Sequence, residues 1–290
     1  MRKVYKMNYI LSAFADEYSD IFVEQARMLQ ANGFSHVELR QVNGKNVFEL
    51  TKKDVVEIKK VLDENGLCVS AIGSPIGKIK LGDDLSAYYE KIKKLFETAE
   101  FLGANYVRIF SFYPSEGKRI EEQKREVFAA MEEIVKISEH HNITLCHENE
   151  AKIYGESPDN CLKIAKYFDG KIRCVFDMGN FVLDGYNPFD AYLKLLPYIE
   201  YFHIKDALYA GAVVPAGKGE AQIQQILEDF KLRTKKDTVI TLEPHLQTFA
   251  GLNALVGKSF ENPYKYENQK VAFIDAIAHL KNIIRGHIQQ

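Results

Sequence analysis

Tryptophan is absent from the 290-residue chain, and cysteine occurs only four times, without any Cys-x-x-Cys pair. No uninterrupted apolar run approaches the roughly 18 residues that a membrane span requires. The first residues also lack the charged and then apolar pattern of a secretory signal. We therefore expect a cytoplasmic protein with reduced thiols and no membrane partner.

An excess of positive charge is also lacking, because 38 lysines and arginines stand against 40 aspartates and glutamates, for a net charge of −2. A general nucleic-acid binder needs a basic face to neutralise phosphates, so we expect no nucleic-acid partner. Apolar residues make up 46% of the chain, which excludes extensive disorder. No stretch rich in proline, glycine or serine divides it. One domain over residues 1–290 is predicted, with a loop or lid at about 247–267.

Eight short β-rich runs recur along the chain at intervals long enough for one strand, one helix and two loops. The segments between them carry a helical period, as in Leu85–Leu102, where apolar residues fall on one face. This alternation predicts the α/β class and a single (β/α)8 TIM barrel. An open doubly wound sheet is the alternative, but its glycine-rich phosphate fingerprint is missing. The runs begin near Tyr9, Ser35, Leu67, Asn105, Ile143, Ile172, Ile199 and Thr238.

The last four predicted strands end in residues that bind metals. In a (β/α)8 barrel the carboxyl ends of the strands face the active site, so these side chains should meet at one rim. Three carboxylates and one imidazole would repel one another without a cation between them. Oxygen and nitrogen ligands of this kind suit Mn²⁺, Mg²⁺, Co²⁺ or Zn²⁺. One divalent ion is therefore predicted, with the ligands Glu148, Asp177, His203 and Glu243.

Other polar residues near the predicted rim are candidates for substrate contacts. Each also has a structural interpretation: Glu38 equally fits an ion pair with Arg40, and His147, which alternates with Glu148, should face away from the metal. The backbone N–H groups of Gly217–Glu220 could approach an anion at a helix start. The candidate substrate-binding residues at this stage are Glu38, Ser74, Arg108, Glu150 and Lys205.

As an ordered set, the segments HENE, FDMGNF, YFHIKD, PAGKGE and LEPHL resemble the sugar phosphate isomerase/epimerase family, the xylose isomerase-like barrels. The resemblance covers nearly the whole chain. It implies one metal held by the four residues named above. In the related ketose 3-epimerases the glutamates that match Glu148 and Glu243 also serve as the acid/base pair. The same superfamily contains inosose dehydratases, other isomerases and an AP endonuclease branch, so membership does not name a substrate.

The resemblance implies chemistry through an enediolate on a ketose, a ketose phosphate or a cyclic polyol ketone. Two positions depart from the ketose 3-epimerase pattern. Asn180, a further candidate substrate-binding residue, stands where that subgroup carries a histidine, and Tyr209 stands where it carries an arginine. Both positions normally contact sugar hydroxyls, so the identity of the sugar stays open.

We therefore expect a metal-dependent sugar isomerase or epimerase in carbohydrate metabolism, with a small-molecule sugar or sugar phosphate as its partner. An inosose-dehydratase-type lyase would use the same metal and expel hydroxide. A nuclease is less favoured, because Ser74 and Ser111 follow strands whose ends carry metal-binding histidines in the nuclease branch. A non-catalytic sugar-binding barrel is the remaining alternative. Family analogy suggests a homo-oligomer.

Overall fold

The computed structural model describes residues 8–246 and 264–288, with side chains as far as residue 285. Eight strands form one parallel sheet, in which neighbours in sequence are also neighbours in space. Strand β1 is hydrogen-bonded to β8, and each further strand is hydrogen-bonded to the one before it in sequence, down to β2. The barrel is therefore closed by backbone hydrogen bonds except between β1 and β2. The predicted (β/α)8 fold is confirmed. The strands are β1 Tyr9–Ala13, β2 His36–Leu39, β3 Cys68–Ile76, β4 Tyr106–Ile109, β5 Thr144–Glu148, β6 Ile172–Asp177, β7 Ile199–Ile204 and β8 Thr238–Leu242.

Helices follow the strands on the outside of the barrel. Two short antiparallel hairpins, Gln41–Val42 with Lys45–Asn46 and Asp206–Ala207 with Val213–Val214, extend the loops after β2 and β7. The helices are α1 Phe22–Ala31, α2 Lys52–Glu64, α3 Ser86–Leu102, α4 Lys124–Ser138, α5 Pro158–Tyr167, α6 Met178–Leu183, α7 Pro188–Leu195, α8 Ile223–Arg233 and α9 Gln269–Ile288.

Local sequence signals fix several helix ends. Thr51 and Asp54 form a capping box at the start of α2, each side chain bonded to the other residue's backbone N–H. Ser157 caps α5 directly before Pro158, whose fixed φ suits the first helical position. Gly103 ends α3 with a φ of 75°, a left-handed conformation that glycine adopts without steric cost.

The barrel interior is apolar at its lower level and polar at the carboxyl ends of the strands. The lower level is a small cluster of buried residues: Ala71, Cys146, Val175, Tyr201 and Val239. Side chains two positions further along a strand point to the same side. The alternation therefore places polar and charged residues directly above this apolar floor, where a site can be shielded from water.

Two observations bear on the remaining predictions. The predicted loop or lid at about 247–267 lies mostly outside the described residues, which exclude 247–263. Among the helices that the structure describes, none is both long enough and apolar enough to cross a membrane.

Candidate metal centre

The structure brings the four predicted metal ligands together. Glu148, Asp177, His203 and Glu243 each offer one ligand atom, and these atoms lie within 4.8 Å of one another. All four side chains are buried, with at most 3% of any residue exposed. That the four bind a metal stays a prediction, but their convergence satisfies its geometric requirement.

Strand alternation explains why these residues meet. Glu148 follows Cys146 by two positions, Asp177 follows Val175, and His203 follows Tyr201. The first member of each pair belongs to the apolar floor of the barrel, so the second member points inward one level higher. Parallel pairing of Asp177 with His203 sets these two side by side at the same level.

Asp177 has separate partners for its two oxygens. Oδ1 accepts a hydrogen bond from the backbone N–H of Asn180 at 2.8 Å, which caps the start of α6. Oδ2 accepts one from Lys205 Nζ, also at 2.8 Å. Because Lys205 Nζ also contacts Glu243 Oε2 at 3.4 Å, Oδ2 is the Asp177 oxygen that lies toward the other ligands.

His203 lies between carboxylates on both sides of its ring. Nδ1 is 2.9 Å from Glu148 Oε1 and 3.2 Å from Glu243 Oε2. On the opposite side, Nε2 is 3.2 Å from Glu38 Oε2. Burial alone would lower the pKa of His203, but the charges of Glu148 and Glu38 outweigh it and raise the pKa well above its usual value.

Glu243 is held by a buried arginine. Arg40 donates from Nη1 to Glu243 Oε1 at 3.0 Å and from Nε to Asp16 Oδ2 at 2.8 Å. Its Nη2 also contacts Asp16 and Glu17. Because Arg40 occupies Oε1 of Glu243, the other oxygen is directed toward His203 and Lys205, which lies 3.4 Å from it.

Glu148 has an arginine of its own. Arg108 Nη1 lies 3.1 Å from Glu148 Oε2, and Arg108 also donates to the backbone carbonyl of Gly73. Both arginines stack on one ring, with Arg40 Cζ 4.2 Å and Arg108 Cζ 5.0 Å from the centroid of Phe14. The two glutamates predicted to act as acid and base are therefore each paired with one buried arginine.

The pKa values of the buried carboxyl groups shift in opposite directions. Burial raises the pKa of Glu17 to about 8 and that of Asp177 to about 7, although Arg40 and Lys205 oppose these shifts. For Glu148, burial alone would also raise the pKa, but His203 and Arg108 outweigh it and lower the value to about 2. Burial acts likewise on Glu243, where Lys205 and His245 hold the pKa well below its usual range.

The residues fit a divalent cation. Three carboxylates and one imidazole form a hard oxygen and nitrogen donor set. The acidic side chains in this interior outnumber its lysine and arginine side chains, so an added cation would relieve repulsion. Glu148 Oε2 lies beside Arg108 Nη1 at 3.1 Å, whereas its Oε1 is turned toward His203 Nδ1 at 2.9 Å, so Oε1 is the oxygen available to a cation.

The predicted substrate residues occupy three kinds of position. Lys205 reaches into the site, and its Nζ lies 3.1 Å from Asn180 Oδ1. Glu150 lies at the partly exposed mouth, where it accepts from Lys78 at 2.8 Å. Ser74 is fully buried and donates to the backbone carbonyl of Arg108. The substrate contacts of these residues stay predictions.

Several functional neighbours were not identified from the sequence. Asp16 and Glu17 follow β1, and no motif marks them, although charged residues directly after a barrel strand are a usable signal. An ion pair between Glu38 and Arg40 was one of two interpretations of these residues, and the structure shows ion pairs of Arg40 with Asp16 and Glu243. Barrel closure explains these pairs, because it places the end of β2 near the end of β8.

The backbone N–H groups of Gly217 and Gly219 do approach an anion, but it is a carboxylate of the protein itself. The carboxylate of Asp206 accepts hydrogen bonds from the backbone N–H groups of Gly217 and Gly219 at 2.7 and 2.9 Å. It also accepts one from the N–H of Ala221 at 3.0 Å. The loop therefore already holds an internal anion. A Cβ at Gly219 would lie 2.2 Å from Asp206 Oδ1, so this contact requires glycine.

His147 lies on the outer side of β5, as the alternation predicts. Its Nε2 is 3.0 Å from Ser111 Oγ, and the residue is 2% exposed. Burial lowers the pKa of His147 to about 4. The residue is therefore a neutral packing element beneath the loop after β5 and takes no part in the ligand set.

Comparisons with known proteins agree with the fold. The sequence model of the family described as xylose isomerase-like TIM barrel matches residues 26–269. No protein among the curated ones matches the chain in sequence.

Solved structures resemble the chain over nearly its whole length. D-psicose 3-epimerase from Clostridium cellulolyticum H10, solved with D-tagatose, is 14% identical with a TM-score of 0.72, over 95% of this chain and 98% of that one. IOLI protein with a bound zinc atom is 15% identical with a TM-score of 0.70, over 97% and 99%. A xylose isomerase-like protein from Mycobacterium smegmatis in complex with magnesium is 17% identical with a TM-score of 0.68, over 99% and 100%. At these identities the likeness shows the fold.

Proposed function

Because the chain belongs to the xylose isomerase-like TIM barrel family, we propose that it is a divalent-metal-dependent sugar isomerase or epimerase. Its substrate would be a ketose, a ketose phosphate or a cyclic polyol ketone. The observation that carries this proposal is the convergence of Glu148, Asp177, His203 and Glu243 on one buried point.

The ligand atoms follow from the hydrogen bonds around them. Asp177 would bind through Oδ2, His203 through Nδ1 and Glu243 through Oε2. A helix cap, Glu38 and Arg40 hold the opposite atom of each side chain, whereas the named oxygens face Lys205 at the centre of the site. When bound, the metal would act as a Lewis acid toward a carbonyl and an adjacent hydroxyl of the sugar.

Glu148 and Glu243 are the proposed acid and base. They lie on β5 and just after β8, with β6 and β7 between them, so they can approach a bound sugar from different sides. Removal of one proton by one glutamate and delivery of a different proton to the opposite face by the other glutamate gives epimerisation. Transfer by one glutamate on a single face gives aldose–ketose isomerisation.

Lys205 is the proposed contact for a substrate oxygen. Its ammonium lies inside the ligand set, with Asn180 Oδ1 as one partner. The Asn180 amide is oriented for this contact because its Nδ2 donates to the backbone carbonyl of Asn149 at 2.9 Å. A fixed ammonium beside the acid/base pair can stabilise negative charge that develops on a sugar oxygen.

The test is a screen of ketoses, ketose phosphates and inososes with added Mn²⁺, Mg²⁺, Co²⁺ or Zn²⁺, in D₂O, with products identified by NMR. We expect an isomer or epimer that carries deuterium at the carbon next to the carbonyl. A dehydrated product would assign a lyase instead. Saturable metal binding without turnover of any of these substrates would contradict the proposed reaction.

A further inference from the structure

We infer that Glu38 is a positioning residue that fixes the tautomer of His203, so that Nδ1 faces the metal ligand set and Nε2 keeps its proton. The inference rests on the proposed metal site. It replaces the substrate contact that the sequence suggested for Glu38.

The two nitrogens of His203 face different surroundings. Nδ1 lies within 2.9 Å of Glu148 Oε1 and 3.2 Å of Glu243 Oε2, both from proposed ligands. Nε2 points the other way, to Glu38 Oε2 at 3.2 Å. Only Nδ1 is therefore directed at the point on which the ligand set converges.

The ring cannot exchange its nitrogens easily. Phe14 packs against it edge to face at a centroid distance of 5.1 Å, and Tyr201 does so at 5.5 Å. His203 itself is fully buried. A rotation that brought Nε2 toward Glu148 would have to displace both aromatic side chains, because buried interiors are close-packed.

Glu38 is itself held in place as an acceptor. Tyr201 donates from its hydroxyl to Oε1 at 2.9 Å, and Thr241 donates from Oγ1 to Oε2 at 2.8 Å. The Glu38 side chain is 0% exposed and lies on the far side of the His203 ring from Glu148. In this position Glu38 is not reached by a substrate. The N–H at Nε2 of His203 is the third hydrogen-bond donor to Glu38, after Tyr201 and Thr241.

The chemistry requires such an acceptor. A histidine that binds a metal through one nitrogen is neutral and carries its proton on the other. A buried N–H without a partner is costly, so a carboxylate behind the ring favours the tautomer that frees Nδ1 for the metal. Loss of an outer partner of this kind typically weakens metal binding by about 10- to 100-fold.

The first measurement uses the wild-type protein. Zinc is titrated into the metal-free protein by calorimetry, and long-range ¹H–¹⁵N spectra of the ¹⁵N-histidine-labelled, zinc-loaded protein report the state of His203. We expect zinc on Nδ1 and a proton on Nε2. Zinc on Nε2 would overturn the inference while leaving the metal site intact. Absence of zinc binding would overturn the metal site itself, and this inference with it.

Variants test the role of the carboxylate. Glu38→Met removes the acceptor and should weaken zinc binding by about 10- to 100-fold. Glu38→Gln keeps an acceptor oxygen and should retain the wild-type tautomer with a smaller loss. Equal zinc affinity in wild type and folded Glu38→Met would overturn the inference. If Glu38→Met does not fold, the wild-type spectrum and the Glu38→Gln tautomer still decide the matter.

The chain offers a matched control. Glu200 lies in β7, also accepts a tyrosine hydroxyl, that of Tyr106 at 2.9 Å, and is only 10% exposed in its side chain. It has no contact with His203 among the described residues. Glu200→Met should leave zinc affinity and the His203 tautomer unchanged. A loss as large as that of Glu38→Met would mean that any buried carboxylate of the barrel affects the site, which contradicts a specific role.

Discussion

The two halves of the barrel contribute different charged groups to its centre. Strands β5 to β8 end in the proposed ligands, three carboxylates and one imidazole. Strands β2 and β4 supply the two arginines, Arg40 and Arg108, which contact Glu243 and Glu148. Carboxylates packed this closely in a low-dielectric interior need positive charge beside them. The arginines of the first half therefore help to hold the carboxylates of the second half in the arrangement proposed to bind a metal.

The arginines also differ from each other, and this gives the largest expected effect. Arg40 compensates Asp16, Glu17 and Glu243, whereas the ion pair of Arg108 is with Glu148. Arg40→Met should lower the free energy of unfolding by about 3–5 kcal/mol, because buried carboxylates lose their partner. Urea denaturation measures this loss. Arg108→Met is the control with the smaller loss, and equal losses would contradict the proposed division of charge.

The second half of the barrel was the more predictable from the sequence. Glu148, Asp177 and His203 each follow an inward-facing residue by two positions in the same strand, so the period of a strand suffices to place them. The partners of Arg40 could not be chosen from the sequence, because they depend on how the sheet closes, which is non-local. The identity of the anion at Gly217–Glu220 could not be predicted for a similar reason, since nothing in the sequence of the loop shows that Asp206 accepts from its N–H groups.

The catalytic pair gives the next largest effect. Glu148→Gln and Glu243→Gln keep size and one oxygen ligand but remove the basic carboxylate. Each should retain partial metal binding and lose at least about 10²-fold in turnover, the lower range for general acid–base catalysis. Steady-state rates with calorimetric metal affinities measure both. Near-full turnover in either metal-loaded variant would mean that this glutamate is only a metal ligand. Glu150 would then be the next candidate for proton transfer.

A pH-dependent effect on stability is expected from His147, which lies on the outer side of β5, away from the charged centre. Its pKa is about 4 in the folded protein, against an ordinary value of 6.5. Between these values the unfolded chain binds a proton that the folded protein does not, so stability falls as pH falls from 6.5 toward 4. Because of this one group, the free energy of unfolding at pH 5 should be about 2 kcal/mol lower than at pH 8.

His147→Gln serves as the reference for that prediction. Urea unfolding at pH 8 and pH 5 should show a larger loss of stability for wild type than for His147→Gln, by about 2 kcal/mol. An equal pH dependence in the two proteins would show that His147 is not held neutral.

The smallest expected effect lies at the mouth of the barrel. Lys78 pairs with Glu150 at 2.8 Å, where the two side chains are 10% and 26% exposed. Lys78→Met should reduce the free energy of unfolding by only about 0.5–1 kcal/mol, since solvent screens the pair. A loss comparable to that of Arg40→Met would mean that charge compensation extends to the rim and is not confined to the centre.

The most direct test of the account is a crystal structure of the protein soaked with Mn²⁺, with anomalous data collected. The account predicts one strong anomalous peak, bounded by Glu148, Asp177 Oδ2, His203 Nδ1 and Glu243 Oε2, with Arg40 and Arg108 still in contact with the two glutamates. A peak elsewhere, or none at this point under saturating Mn²⁺, would contradict it.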